Sequence, residues 1–289
     1  MVLDIIYNPL AGGAKKMARN IAKVVKRLTE RKISFKLHKT EYPKHATKIA
    51  KEVITNGATT VVSMGGDGTN NEVLNGFDNF ENVSFGIIPC GTGNDFASHV
   101  GLPLDVEKAV DVIVDKEPSY VDFMQLPTVR ALNIVGTGVD CEILKKYSAL
   151  KKKRKTSYYK CLFNTIFSYK CKDCTSTING ENRQHKPFIS CVANGAIFGG
   201  GIKMCPVADP TDGKLEFVWV DDMKSIKRVG ALLKLNAGKI LKHKNAHRLS
   251  VDKVIVESNE KQIVNVDGEL YDDIPFEVEV VHKKLRLHK

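Results

Sequence analysis

The chain has 289 residues, with 44 Lys+Arg against 33 Asp+Glu and a formal net charge of +11 at pH 7. That length gives a prior of about two domains with room for a substantial core. No apolar run approaches the ~20 residues that span a bilayer, and Met1-Val2-Leu3-Asp4 leads into a strand rather than a signal peptide, so a soluble, cytoplasmic chain is expected. The charge points to an anionic partner, a nucleotide, nucleic acid or acidic membrane surface, without choosing among them.

In chain order, Leu3-Asp4-Ile5-Ile6-Tyr7 reads as a strand running into Asn8-Pro9-Leu10-Ala11-Gly12-Gly13 and then a helix, on which Met17, Ile21, Val24, Val25 and Leu28 share one side. A strand over Ile33 to Leu37 and a helix from about Lys44 to Thr55 follow. Thr59-Thr60-Val61-Val62-Ser63-Met64 is a β-branched strand ending in Gly65-Gly66-Asp67-Gly68-Thr69-Asn70-Asn71-Glu72-Val73. Thr69 and Glu72 stand three apart, as a capping box requires, before the apolar Val73, Leu74 and Phe77. Glycine turns at a helix start let backbone amides surround phosphate oxygens, and Asp67 adds charge for Mg²⁺ or a hydroxyl. Such turns are also common in α/β folds without a ligand.

Phe85 to Ala97 repeats the design, with a short strand, a turn holding Gly91, Thr92 and Gly93, and Asp95 at a helix start. A helix around Val106 to Val114 completes an alternation that implies a parallel sheet with helices on both faces. Glu117-Pro118 is the boundary candidate. Beyond Ser119 the pattern is mostly β: Tyr120 to Leu126, Val129 to Val135, Phe188 to Ala193, Leu215 to Val220, Val254 to Glu257 and Phe276 to Val281. The exceptions are a basic segment and a helical stretch near Ser225 to Leu241.

The basic segment runs from Lys145-Lys146 through Lys151-Lys152-Lys153-Arg154-Lys155, then Tyr158-Tyr159, Leu162, Phe163, Ile166, Phe167 and Tyr169, up to Lys172. Cations beside aromatic and apolar residues suit the headgroup region of an anionic leaflet, while a solvated helix packed on its own domain is the alternative. No nucleic-acid reader motif is present, so no nucleic-acid partner is expected. The 7 cysteines are scattered. Cys171-Lys172-Asp173-Cys174 lacks a second pair at zinc spacing, so reduced thiols are expected.

Together, Asn8-Pro9 with Gly12, the Gly65 to Val73 block, Pro89 to Ala97, Gly136-Thr137-Gly138-Val139-Asp140, Asp209-Pro210-Thr211-Asp212-Gly213-Lys214-Leu215 and Asn265-Val266-Asp267-Gly268-Glu269 resemble the diacylglycerol kinase catalytic family. Its superfamily includes sphingosine and ceramide kinases. The Gly65 block alone also resembles the turn of NAD kinases and phosphofructokinases.

The resemblance implies an α/β protein with an N-terminal Rossmann-like, NAD-kinase-type domain at 1–122, to which a last strand at about 280–289 returns, and a C-terminal β-sandwich at 123–279 carrying the lipid cleft. It implies ATP as nucleotide, at Asn8, Gly12, Thr40, Gly65, Gly66, Asp67, Gly68, Thr69, Asn71, Glu72, Gly91 and Thr92. Asp67 and Asp95 match a water and Mg²⁺ network around the phosphates, though helix-cap or turn roles are open to both. Asp267 is expected as general base with Glu269 close behind, although Asp-Gly is also a strong hairpin-turn signal. Asp209, Asp212 and the Lys214 carbonyl match a structural Mg²⁺ loop of bacterial members, with a polar β-turn as the alternative reading.

The activity implied is transfer of the ATP γ-phosphate to a lipid hydroxyl at an anionic membrane surface, most simply diacylglycerol to phosphatidate in phospholipid biosynthesis. The enzyme would be a cytoplasmic kinase with peripheral membrane association, and analogy adds a homodimer. Two rivals stand: an NAD kinase, whose dinucleotide signature is not found in the second half, and a nucleotide-dependent membrane-associated regulator without turnover.

Overall fold

Alternating β-branched runs and amphipathic helices build the first half of the computed structural model, which describes residues 1–150, 155–272 and 274–289. The elements are β1 (Val2–Tyr7), α1 (Ala14–Glu30), β2 (Ser34–Lys39), α2 (His45–Thr55), β3 (Thr60–Gly65), α3 (Asp67–Asn75), β4 (Ser84–Pro89), α4 (Asp95–His99) and α5 (Val106–Asp115). The strands pair in parallel in the order β2-β1-β3-β4. Every residue of β3 and β4 is buried, as parallel strands covered on both faces require. Met17, Val24 and Leu28 of α1 pack with α5 on Leu3, Ile5, Val62 and Met64, while α2 and α3 cover Ile6, Val61, Phe85 and Ile87 on the opposite face.

The second half contains β5 (Ser119–Gln125), β6 (Arg130–Ala131), β7 (Ile134–Gly138), α6 (Val139–Ser148), α7 (Lys155–Ser168), β8 (Cys174–Ile178), β9 (Glu181–His185), β10 (Pro187–Ala193), β11 (Ile197–Phe198), β12 (Ile202–Lys203), β13 (Leu215–Asp221), α8 (Ser225–Asn236), β14 (Ala246–Val251), β15 (Lys253–Ser258), β16 (Val264–Val266), β17 (Glu269–Tyr271) and β18 (Phe276–Leu287). An antiparallel sheet in the order β14-β13-β10-β7-β16-β17 faces the layer β18-β15-β8-β9. Val192, Phe217, Val254 and Val278 form part of the shared core of this sandwich. Helices α6, α7 and α8 cover the other face of the antiparallel sheet through Ile143, Ile166, Val218 and Ala231.

Strand β18 joins the halves. Its first part pairs with β15 (Phe276↔Val256), and its end runs parallel to β4 (Arg286↔Ser84). One sheet therefore extends from the glycine-turn half into the sandwich.

Two local expectations are corrected. The strand expected over Val129 to Val135 is broken, because the amides of Leu132, Asn133 and Ile134 donate to the Asp267 carboxylate instead of a neighbouring strand. Thr69 and Glu72 form no capping box: α3 begins at Asp67 behind Gly66, with no side-chain cap, so both lie within the helix. Of the basic run Lys151–Lys155, residues 151–154 lie outside the described residues. All 7 cysteines are free thiols. No helix among the described residues is long and apolar enough to cross a membrane.

Candidate active site

Three loops leave the C-terminal ends of the adjacent strands β1, β3 and β4, the edge where open α/β sheets bind ligands. In the first, the Asn8 side-chain oxygen accepts from the Leu10 amide at 3.0 Å, turning the chain, and the Asn8 amide donates to the Met64 carbonyl at 3.2 Å. Gly12, at φ 64, lies so close to the Cys90 carbonyl oxygen that any Cβ would collide with it. Thr40 is buried at the end of β2, its amide bonded to the Tyr7 carbonyl at 3.0 Å.

The second and third loops touch as closely. A Cβ on Gly91 would lie 2.5 Å from the Gly66 Cα. Gly65 leaves room for the buried Thr69 side chain, and its carbonyl accepts from the Cys90 and Gly91 amides at 2.6 and 3.1 Å. Glycine here is a matter of contact: larger residues would push the three turns apart. Asn94, in the left-handed conformation (φ 56), holds the third turn by exchanging hydrogen bonds with Gly91 at 2.9 and 3.1 Å. Thr92 at its tip is exposed.

Asp67 and Asp95 converge on Gly93. A Cβ there would stand 3.0 Å from Asp67 Oδ2 and 3.5 Å from Asp95 Oδ2. Asp67 Oδ1 accepts from the Phe96 amide at 3.3 Å, and Asp95 Oδ2 from the Gly200 amide at 2.8 Å. Burial first, and then the neighbouring Asp67 charge, hold Asp95 above the usual carboxylate range, while the Gly200 amide acts the other way. Two carboxylates over a gap that glycine leaves fit a Mg²⁺ ion taking its remaining ligands from phosphate and water. Among the described residues no group of three side chains could form an all-protein metal cage.

Opposite these turns stands the β16–β17 hairpin, a two-residue Asp267-Gly268 turn with positive φ at both positions (49 and 96). The carboxylate of Asp267 is fully engaged. Oδ1 accepts from the amides of Asn133 and Ile134, both at 2.9 Å, and Oδ2 from the Leu132 amide at 2.7 Å and the Asn71 amide group at 3.0 Å. Burial outweighs these four bonds and pushes Asp267 up to about 6. Asn71 also donates to the Arg130 carbonyl at 2.8 Å, so α3 is tied to β6 as well as to the hairpin.

Glu269 is less engaged. Its Oε2 has one long contact with the Tyr271 hydroxyl at 3.5 Å, and its Oε1 lies 3.8 Å from where a Cβ on Gly68 would stand. Burial raises its pKa first, followed by the Glu72 charge, with Lys44 opposing. Gly68 thus brings the start of α3 against the hairpin acid.

Other expected residues are placed differently. The Glu72 carboxylate accepts from the amides of Lys44 and Ala46 at 3.0 and 3.1 Å, capping α2 rather than facing the glycine turns. In the Asp209–Lys214 loop, Asp209 Oδ1 accepts from the Thr211 amide and hydroxyl at 3.0 and 2.6 Å, and Asp212 Oδ1 from the Lys214 amide at 2.9 Å. Asp122, buried and bonded to His282 at 2.7 Å, takes the Gly213 amide at 2.7 Å. Each aspartate is thus bonded within the loop through Oδ1, an arrangement that suits a polar β-turn and leaves the expected Mg²⁺ donors, Asp209, Asp212 and the Lys214 carbonyl, on one short loop.

Three residues were missed. Lys16 reaches within 3.8 Å of the Cβ position on Gly12, and Lys44 (φ 65) lies with its ammonium 5.8 Å from the Tyr271 ring. Gly93 makes the gap between the two carboxylates. The two lysines owe their positions to tertiary contact, which spacing does not encode.

A family model described as diacylglycerol kinase catalytic domain matches residues 3–126, and one described as YegS C-terminal NAD kinase beta sandwich-like domain matches residues 133–289. The chain is 27% identical over 277 residues to the diacylglycerol kinase of Staphylococcus saprophyticus, covering 94% of this chain and 90% of that one. A crystal structure of a diacylglycerol kinase from Bacillus anthracis str. Sterne superposes with a TM-score of 0.72 at 20% identity, covering 99% of this chain and 96% of that one. An NAD kinase from Archaeoglobus fulgidus, crystallised in complex with ATP, superposes with a TM-score of 0.53 at 16% identity, covering 100% and 94%. With glycine turns in the first matched segment and an acidic hairpin in the second, the chain belongs to the diacylglycerol kinase-like lipid kinase family, a diacylglycerol kinase catalytic domain followed by the NAD kinase-like β-sandwich.

Proposed function

We propose that this chain transfers the γ-phosphate of ATP to a lipid hydroxyl, with diacylglycerol the first acceptor and phosphatidate its product. One observation carries the reading: three mutually touching glycine turns, with Asp67 and Asp95 among them, abut an acidic hairpin at Gly68. Phosphoryl transfer needs little covalent help from the protein. It needs the phosphates held, their charge offset, and a proton acceptor beside the attacking hydroxyl.

The amides at the start of α3 and of Thr92 bind phosphate oxygens, and Lys16 adds a cation beside the first turn. Asp67 and Asp95 hold the Mg²⁺ that accompanies ATP, whose contribution is to offset phosphate charge. The lipid hydroxyl oxygen attacks the γ-phosphorus as the bond to the β–γ bridging oxygen breaks. ADP leaves and the hydroxyl proton passes to a carboxylate.

That carboxylate is Glu269. A carboxylate offers about four acceptor sites, and Asp267 has all of them in use. This reverses the order expected from the motif and makes Asp267 the residue that positions the hairpin.

The test is transfer of labelled phosphate from Mg-ATP to diacylglycerol, sphingosine, ceramide and phosphatidylglycerol in mixed micelles, with NAD in a parallel reaction. Labelled phosphatidate, lost in Glu269→Gln, supports the reading. Labelled NADP would replace it with the NAD kinase reading, and an absence of any labelled product would favour the regulator.

A further inference from the structure

The cations of this protein are concentrated in two stretches. Residues 143–172 and 223–251 contain 18 of the 44 Lys+Arg and none of the 33 Asp+Glu, leaving 26 cations against 33 acids, a net −7, in the rest. The two stretches carry α7 and α8, which touch each other on the outer side of the sandwich. Arg228 of α8 pins them: its Nη1 donates to the carbonyls of Ile166 and Tyr169, at 2.8 and 2.9 Å, near the end of α7. Its Nη2 bonds Asp222 at 2.6 Å, and its guanidinium lies 4.8 Å from the Phe188 ring.

Each helix turns apolar side chains outward. On α7, Phe163 and Phe167 are 62% and 41% exposed, one turn apart, with ring centroids 5.0 Å from each other. On α8, Ile226 and Leu233 are 77% and 68% exposed, seven residues apart on one side, with Lys227 and Lys234 beside them. Exposed aromatic and branched side chains in a field of lysines suit the boundary between anionic headgroups and acyl chains.

We propose that the paired helices α7 and α8 form the face by which this protein docks on an anionic membrane leaflet. The proposal rests on the lipid-kinase reading, because a lipid acceptor must be taken from such a surface. It commits to a bilayer on charge complementarity: all of the chain's excess positive charge lies in the stretches that bear these side chains. Arg228 keeps the two helices together as one platform, so insertion of one stripe seats the other.

The experiment is co-sedimentation with vesicles made of equal parts phosphatidylglycerol and phosphatidylcholine, or of phosphatidylcholine alone, without nucleotide. The wild type is expected to bind the anionic vesicles and to release as salt is raised. Phe163→Gln, Phe167→Gln, Ile226→Gln and Leu233→Gln combined should lower that binding at least about tenfold with an unchanged melting temperature. Lys227→Gln with Lys234→Gln should reduce the preference for anionic over neutral vesicles. A wild type that does not bind, or a fourfold variant that binds as well as wild type, overturns the proposal. So does a wild-type dimer that the fourfold variant converts to monomer, since a second copy would then occupy the face. Phosphate transfer to acceptor in detergent micelles, run alongside, separates the two readings: lost docking with retained transfer sinks only this proposal, and retained docking without transfer sinks only the kinase.

Discussion

The glycine-turn cluster and the Asp209–Lys214 loop use the same vocabulary, aspartates and glycines on tight turns, and become different objects. In the loop, one oxygen each of Asp209 and Asp212 is satisfied within two residues, and Asp122 takes the Gly213 amide. In the cluster, Asp67 and Asp95 point across a gap at Gly93 and are held there by amides of distant segments. A carboxylate becomes a ligand site when the fold leaves its lone pairs facing other charge; local bonding consumes them.

The sharpest way to break this contrast is to neutralise one acid in each place. Asp67→Asn should lower phosphoryl transfer by about a thousandfold, the scale of losing a main charge-positioning group, while Asp212→Asn should leave the rate within about threefold. Equal losses in a turnover assay would erase the distinction. Next come the glycines. Gly91→Ala places its Cβ 2.5 Å from the Gly66 Cα and should cost about 3 kcal/mol in urea unfolding together with ATP binding. Gly68→Ala meets only a 3.8 Å contact and should stay within about 1 kcal/mol of wild type.

The hairpin acids supply a third comparison. Glu269→Gln should reduce kcat by about a hundredfold with ATP affinity unchanged, whereas Asp267→Asn should act mainly on stability. Burial raises Asp267 to about 6, so between about 4 and 6 the native state binds the proton that the unfolded state has lost. Stability therefore falls as pH rises through that window, by no more than about 3 kcal/mol from this residue. Asp267→Asn should flatten the slope, and an identical slope in both proteins would contradict the assignment. The smallest effect belongs to Glu72→Gln, which loses the charged cap on α2 and should cost about 1 kcal/mol by thermal melting, with ATP affinity preserved.

Much of the fold was legible because burial imposes its period on residue type. The stripe Met17, Val24 and Leu28 and the unbroken apolar runs of β3 and β4 are such imprints. The glycine turns were legible for a related reason: close contact excludes side chains, so Gly12, Gly66 and Gly91 mark where backbones meet. What stayed hidden depends on which partner a polar group finds. Nothing near Glu72 in the chain shows that its carboxylate caps α2, and nothing near Asp267 shows that three amides of residues 132–134 will fill it. The break in the strand after Ala131 has the same source, since its amides answer to an acid 135 residues away.

The most direct measurement is calorimetric titration of ATP, with and without Mg²⁺, into wild type and Asp67→Asn. The account predicts Mg²⁺-strengthened binding to wild type that the variant loses by at least about tenfold. ATP binding that is indifferent to Mg²⁺ and equal in both proteins would contradict it.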